Sequence, residues 1–223
     1  MRETLAEWAD HYNRRGKYTP VGVAFHWIMA GLVIYQLWSG WTMQRNLVGA
    51  DKLLEYQRHS EIGLLILALA CGRLLWRLAV PGPINDADKP GWATTAAHAM
   101  HWAFYALFAV LPLTGWLMWS SIQPPAPLYL AGVIAVPPFP LHDLSPEWQW
   151  WVMQTSLSVH VWGTIALTLL VPGHALAAIK HHFWDRDDVL AGMLPEVPDT
   201  AWHPGGPHYN PRSDPPRHQQ ADG

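Results

Sequence analysis

Long apolar stretches alternate with polar connections along this chain, and four of them are long enough to cross a lipid bilayer. They occupy residues 21–43, 62–80, 102–122 and 159–179. At a rise of about 1.5 Å per residue, a helix of about 20 residues matches a hydrocarbon core of roughly 30 Å. The pattern predicts an all-α membrane protein in which four transmembrane helices form one bundle.

The basic residues indicate how these helices are oriented. Four spans put both termini on one side of the membrane. Of the 14 lysines and arginines, only Arg45, Lys52 and Arg58 lie in the first connection, and the other eleven lie before the first span, around the second connection or after the fourth span. Because cytoplasmic loops carry the excess of basic residues, both termini and the second connection are predicted to be cytoplasmic.

Two further segments complete the predicted organisation. The third connection, 123–157, contains no lysine or arginine, and its apolar middle at 128–136 is too short to span and is bounded by prolines. It is predicted to be an outer, proline-rich cap loop lying on the bundle rather than a fifth helix. The bundle domain is expected to occupy 1–195, followed by a disordered cytoplasmic tail at 196–223 that is rich in proline, glycine and polar residues.

Composition supports the membrane assignment and excludes several other classes. Half of the 223 residues are hydrophobic and 14% are charged, against about 25% charged residues in an average soluble domain. The net charge of -3 is spread without a basic stripe, so no nucleic-acid partner is expected. The first twenty residues contain no apolar core of a signal peptide, so the first span itself is expected to direct insertion.

The single cysteine restricts the possible redox chemistry. Cys71 lies inside an apolar run and has no second cysteine with which to pair. This excludes an intrachain disulfide, an all-cysteine iron–sulfur site and the Cys-x-x-Cys-His attachment of c-type haem. Any haem in this chain must therefore be held by its ligands alone.

Four histidines lie within or at the ends of the predicted spans, where an ionisable side chain is costly and marks a functional site. They are His26 in the first span, His59 at the start of the second, and His160 and His174 in the fourth. His160 and His174 are fourteen residues apart. They therefore lie on nearly the same helix face, about 21 Å from each other along the axis. Two sites stacked across the membrane are predicted.

Topology pairs these histidines by depth. His26 and His174 both lie near the cytoplasmic side, and His59 and His160 both lie near the outer side. Each pair can present imidazoles from opposite sides to one planar macrocycle, as six-coordinate b-type haem requires. Two other interpretations stay open: hydrogen bonding between helices, and a transporter that uses the histidines as transition-metal ligands.

Further polar residues at the span ends have two interpretations each. Arg73 and Arg77, one turn apart, either anchor the inner end of the second span or bind haem propionates with their guanidinium groups. His98 and His101 are either interfacial residues or part of a quinone or propionate site. His181 and His182 are expected among the inner headgroups, and Glu61 is expected to be interfacial, with a proton-accepting role as the alternative.

Four stretches of the chain, in matching order over roughly 17–195, together resemble the bacterial cytochrome b561 family, which is related to the b-type cytochrome subunit of nickel–iron hydrogenases. They are KYTPVGVAFHW, YQRHSEIGLLILALACGRLLWRL, AAHAMHWAFYALFAVLPLTGWLMWSS and HVWGTIALTLLVPGHALAAIKHHFWDRDDVLAGML. The resemblance implies two b haems on His26, His59, His160 and His174 in a multi-pass protein of the bacterial inner membrane. It also implies electron exchange with membrane quinone, and some family members oxidise superoxide and reduce ubiquinone.

Two functions within this resemblance are left open. The first is a quinone-linked oxidoreductase with a small donor, such as superoxide, at the outer face. The second is a membrane anchor subunit that relays electrons between a dehydrogenase or c-type cytochrome partner and the quinone pool. The long outer connection distinguishes this chain from the shortest family members, because a cap over the outer site would exclude a small substrate or dock a redox protein.

Overall fold

The computed structural model of the chain describes residues 2–45, 47–83, 91–122, 127–186 and 188–194. Within the described residues, the chain up to Met193 forms one compact unit. The predicted disordered tail at 196–223 lies outside the described residues.

Five helices and one β-hairpin make up the described fold. The helices are α1 (Arg2–Asn13), α2 (Pro20–Arg45), α3 (Gly49–Ala79), α4 (Trp92–Ser120) and α5 (Pro146–Lys180). A π-helical turn at His181–Asp185 continues α5. The four helices from α2 to α5 are long and apolar enough to cross a membrane. This confirms the predicted all-α, four-helix membrane fold.

The helices are longer than the apolar stretches that predicted them. Helix α3 begins at Gly49, and α5 begins at Pro146, thirteen residues before the predicted start of the fourth span at 159. The second and third predicted spans, by contrast, end at 80 and 122, just past α3 and α4. An apolar window detects only the part of a helix that matches lipid, so polar helical turns beyond the hydrocarbon level escape it.

The centre of the bundle is a layer of buried apolar side chains. Met29 and Val33 of α2 meet Ile66 and Ala70 of α3 and Leu167 of α5. Close backbone packing joins α2 with α3, α3 with α4, and α4 with α5. Within the described residues, α2 and α5 lack backbone packing of comparable extent.

Helix α1 was not predicted, although its sequence carries the signal for it. Leu5, Trp8, Ala9 and Tyr12 recur at the i, i+3, i+4, i+7 spacing of an amphipathic helix. Ala9 is buried, and the Trp8 ring meets the Trp76 ring of α3 edge-on at a centroid distance of 6.2 Å. The helix therefore packs against the end of α3 that lies opposite the hairpin.

The third connection forms a hairpin that lies on the bundle, as the cap prediction proposed. Strands β1 (Leu128–Leu130) and β2 (Ile134–Val136) are antiparallel, with Leu128 opposite Val136. Leu128 is 0% exposed and packs with Leu64 of α3 and Trp119 of α4. The backbone N–H of Tyr129 donates to the Glu61 carboxylate at 3.1 Å. We call the end of the bundle that carries this hairpin the hairpin side, and the opposite end the α1 side.

Leu128 should be the residue that holds the hairpin in place. We expect Leu128→Ala to cost about 2–5 kcal/mol at this site, because it leaves a cavity between α3 and α4. Amide hydrogen exchange should then become faster in the hairpin residues 128–136 and stay unchanged in the central layer. The matched control is Val133→Ala at the hairpin tip, where the side chain is 81% exposed. Equal protection in both variants would contradict the anchoring role.

Candidate functional site

Two of the predicted histidines meet at the hairpin side. His59 of α3 and His160 of α5 have ring centroids 6.2 Å apart, with an angle of 60° between the ring planes. Both residues are half-buried. His59 lies ten residues inside α3 rather than at the start of a helix, because α3 extends beyond the apolar stretch.

The other two meet at the α1 side. His26 of α2 and His174 of α5 have ring centroids 6.0 Å apart, with an angle of 57° between the planes. Since His160 and His174 are fourteen residues apart on one helix, the two pairs are separated by about 21 Å along its axis. Leu167 and the rest of the central apolar layer lie between them.

The spacing within each pair fits one metal held between two imidazoles. An imidazole nitrogen binds a transition metal at about 2 Å and the ring centre lies about 1 Å behind it, so two trans rings have centres roughly 6 Å apart. Both observed distances agree with that value. Each pair takes its two rings from two different helices, as a planar group ligated on both faces requires.

Hydrogen bonds to Nδ1 of His160 leave Nε2 of the same ring free. His160 Nδ1 lies 3.1 Å from the carbonyl oxygen of Leu111, which can only accept, so Nδ1 carries the proton. Thr114 Oγ1 lies 3.0 Å from the same nitrogen. Fixing the proton on Nδ1 exposes Nε2 as the ligand atom, which is how second-shell groups orient metal-binding histidines.

Two glycines lie beside these rings, and sequence reasoning did not select them. A Cβ added at Gly40 of α2 would lie 3.4 Å from His59 Cε1, and one added at Gly115 of α4 would lie 3.5 Å from His160 Cε1. Three other glycines of the bundle have no histidine ring beside them. A Cβ at Gly163 would instead meet Leu111 and Leu107, and one at Gly31 or Gly173 would have no neighbour within 4 Å.

The α1-side pair has a cation and a third imidazole next to it. Arg73 Nη1 lies 3.3 Å from His26 Nδ1, and His101 of α4 has its ring centroid 5.7 Å from that of His174. A guanidinium only donates, so His26 Nδ1 accepts in this arrangement. Arg77 is exposed and stacks over the Tyr18 ring at 5.6 Å, so only one of the two predicted arginines contacts a histidine of the pair.

Glu61 has a structural partner at the hairpin side. Its Oε1 accepts from the Tyr129 backbone N–H and from Gln57 Nε2 at 3.0 Å. Both bonds hold the hairpin and the helix surface beneath it. The described residues contain no group of three or more His, Cys, Asp or Glu side chains suited to a metal ion.

One family model covers the part of the chain that carries the paired histidines. Residues 17–196 match the family model described as prokaryotic cytochrome b561. The chain belongs to the prokaryotic cytochrome b561 family. All four paired histidines, Arg73 and His101 lie inside the matched range. Members of this family transfer electrons through b-type haem within the membrane, and the two histidine pairs have the spacing that this cofactor needs.

Several curated relatives have similar length and low identity. The chain is 27% identical to cytochrome b561 homolog 2 of Escherichia coli (strain K12), over 82% of this chain and 93% of that protein. It is 26% identical to the probable superoxide oxidase CybB of Yersinia pestis, over 81% and 97%. It is 24% identical to cytochrome b562 of Cereibacter sphaeroides, over 79% and 94%. Membership of the cytochrome b561 family and the four apolar helices identify a bacterial membrane protein that binds b-type haem.

Proposed function

We propose that the chain is a transmembrane electron carrier in which residues 1–195 hold two b-type haems, one at each histidine pair. His59 and His160 ligate at the hairpin side, and His26 and His174 ligate at the α1 side. The observation that carries this proposal is the meeting of two imidazole pairs, each with centroids about 6 Å apart, at opposite ends of one apolar bundle. When bound, haem supplies one-electron redox chemistry at each pair.

The protein between the pairs supports electron transfer and restricts other processes. The two pairs are separated by the buried apolar layer of Met29, Val33, Ile66, Ala70 and Leu167. These five side chains carry no group that could relay a proton, whereas an electron needs only a short gap between sites. The ligand positions are about 21 Å apart along α5. The gap between the edges of two bound macrocycles would be much shorter.

The basic residues support an orientation with the hairpin side outward and both termini in the cytoplasm. Arg2, Arg14, Arg15 and Lys17 precede α2, and Arg73 and Arg77 lie at the same end of the bundle. The positive-inside rule places this end in the cytoplasm. The α1-side pair would then face the cytoplasmic leaflet of the bacterial inner membrane.

The α1 side also has the groups expected around haem propionates and a quinone. Arg73 contacts His26 Nδ1, the nitrogen that would carry a proton if Nε2 bound iron. Two donors cannot bond to each other, so Arg73 is expected to turn toward a haem propionate, which a guanidinium binds through two hydrogen bonds. Arg77 and His101 lie within the same end of the bundle and are candidates to bind a propionate or ubiquinone.

The proposal has two forms, which differ in the electron donor at the outer face. In the first form superoxide is oxidised at the outer face and ubiquinone is the acceptor; the name of the Yersinia relative, a probable superoxide oxidase, supports superoxide as the donor. The segment 121–157 favours the second form, an anchor subunit with a redox protein partner. It has Asp143 and Glu147 but no lysine or arginine, so the basic residues that could attract an anion at the outer face lie in the first connection instead. Its hairpin, together with the exposed Trp148 and Trp151 of α5, instead forms a surface to which a redox protein can bind.

The spectrum of the purified protein tests the central proposal. We expect a red protein with about two haems per chain and a reduced spectrum of six-coordinate, low-spin b haem. Adding superoxide or a reduced quinone analogue to the oxidised protein then identifies the donor by which reagent reduces it. A colourless protein, or a haem with an open coordination position, would refute the assignment of paired histidine ligands.

A further inference from the structure

A partly buried carboxylate lies one helical turn before His59 and is not part of the ligand set. Glu55 of α3 has a side chain that is only 14% exposed. Its Oε1 accepts a hydrogen bond from Ser39 Oγ of α2 at 2.7 Å and lies 3.4 Å from the Tyr35 hydroxyl. Its Oε2 is 3.9 Å from Arg58 Nη1.

Ser39 connects this carboxylate to the histidine. Its side chain is fully buried, and its oxygen lies 3.4 Å from His59 Nδ1. A hydroxyl has one proton, which Ser39 donates to Glu55, so its oxygen can only accept from the ring. The chain of donors therefore runs from His59 Nδ1–H to Ser39 and from Ser39 to Glu55. It leaves Nε2 of His59 free to face His160.

We propose that Glu55, acting through Ser39, is a positioning residue that fixes the ring of His59 and lowers the reduction potential of the hairpin-side haem. This inference rests on the proposed function, because it assigns a role relative to a haem at His59 and His160. A carboxylate at the end of such a chain draws the Nδ1 proton outward and makes the imidazole a stronger electron donor to iron. Electron donation stabilises the oxidised metal, which lowers its potential.

His160 and His26 each have a different partner, so we assign the proposed effect to His59. His160 Nδ1 faces the neutral carbonyl of Leu111, and His26 Nδ1 faces the cation of Arg73. Arg58 reduces the field of Glu55 only in part, because its side chain is 59% exposed and its charge is screened by water. A negative charge beside one site and a positive charge beside the other favour electron movement from the hairpin side to the α1 side.

The test measures the two midpoint potentials of the haem-loaded full chain by spectroelectrochemical titration. Glu55→Gln keeps the shape and the acceptor oxygen but removes the charge. We expect it to raise the potential of one haem by about 59 mV, a tenfold change in its one-electron equilibrium, and to leave the other in place. The haem retained by a His174→Ala variant identifies which potential belongs to the hairpin side.

Ser39→Ala and the double variant test whether the effect passes through the serine. Ser39→Ala should raise the same potential. Glu55→Gln in the Ser39→Ala background should then add only a small further change, since the connection is already broken. An equal shift with and without Ser39 would show that Glu55 acts as a distant charge and would overturn the proposed chain.

Two matched variants separate charge, connection and shape. Glu61→Gln removes a carboxylate two residues from His59 that bonds to Tyr129 and Gln57 instead, so its shift should be clearly smaller. Glu55→Asp keeps the charge and should stay nearer the native potential than Glu55→Gln. No shift in Glu55→Gln, or equal shifts in both haems, would overturn the inference. Loss of the hairpin-side haem from both Glu55 variants would do so as well, whereas absence of haem from the native protein would refute the proposed function instead.

Discussion

Replacing His174 by alanine should remove one haem and leave the other. The haem content should fall from about two per chain to about one, because a b haem held without covalent bonds depends on both axial ligands. His26 alone would remain at the α1 side, with Arg73 at 3.3 Å from its Nδ1. His59 and His160 lie about 21 Å away along α5 and should keep their haem. Haem-to-protein ratio and the reduced-minus-oxidised spectrum measure the outcome.

Two control variants make this result specific. His98→Ala removes an exposed histidine from the same end of the bundle and should leave both haems in place. His101→Ala removes the imidazole 5.7 Å from His174 and should also leave two haems, because His101 belongs to neither proposed ligand pair. If His174→Ala lost both haems or neither, the pairing of His26 with His174 would be wrong.

A leucine at Gly115 should remove the haem at the other end. A Cβ at this position would already lie 3.5 Å from His160 Cε1 and 3.8 Å from its Nδ1, which is ordinary contact. We expect the three further carbons of leucine, which extend beyond that Cβ, to press against the His160 ring and displace it. Overpacking of this kind costs about 1–3 kcal/mol, and here the strain falls on a ligand. We expect loss of the hairpin-side haem and retention of the α1-side haem.

The size series provides the control for this prediction. Gly115→Ala should keep both haems, since its Cβ makes only van der Waals contact with the ring. Ala106→Leu places the same side chain on an exposed face of α4 and should also keep both. Two haems in Gly115→Leu would show that His160 tolerates displacement and is not held as a ligand requires. Difference spectra of the three variants, compared at equal protein concentration, distinguish these results.

The sequence predicted most of the architecture because a bilayer of fixed thickness constrains the length of each spanning helix and the depth of each residue within it. Four apolar stretches of about 20 residues leave few alternatives to four spanning helices. The direction of each span and the position of each histidine along it then give a depth, which is why His26 with His174 and His59 with His160 were predicted as pairs before any contact was known. The structure brings both pairs together, while their ligation of haem stays a prediction.

Local sequence signals near the membrane surface were available but were weaker. The i, i+3, i+4, i+7 pattern from Leu5 to Tyr12 predicts α1, although the segment is too polar to stand out in an apolar window. Glu55 and His59 are four residues apart, which places them on one face of a helix. That relation became visible only when α3 was found to begin at Gly49 rather than at the apolar boundary.

The sequence alone therefore determined the number of spans and which histidines lie at the same level of the bundle, and it predicts that any haem is held by its ligands alone. Only the tertiary structure decided that Ser39 bonds to Glu55, that Gly40 and Gly115 border the rings, and that Arg73 and His101 join the α1-side pair. Span length and depth depend on one chain segment at a time. These contacts instead join residues on different helices, so they depend on how each helix is rotated about its axis, which side-chain packing across the bundle sets.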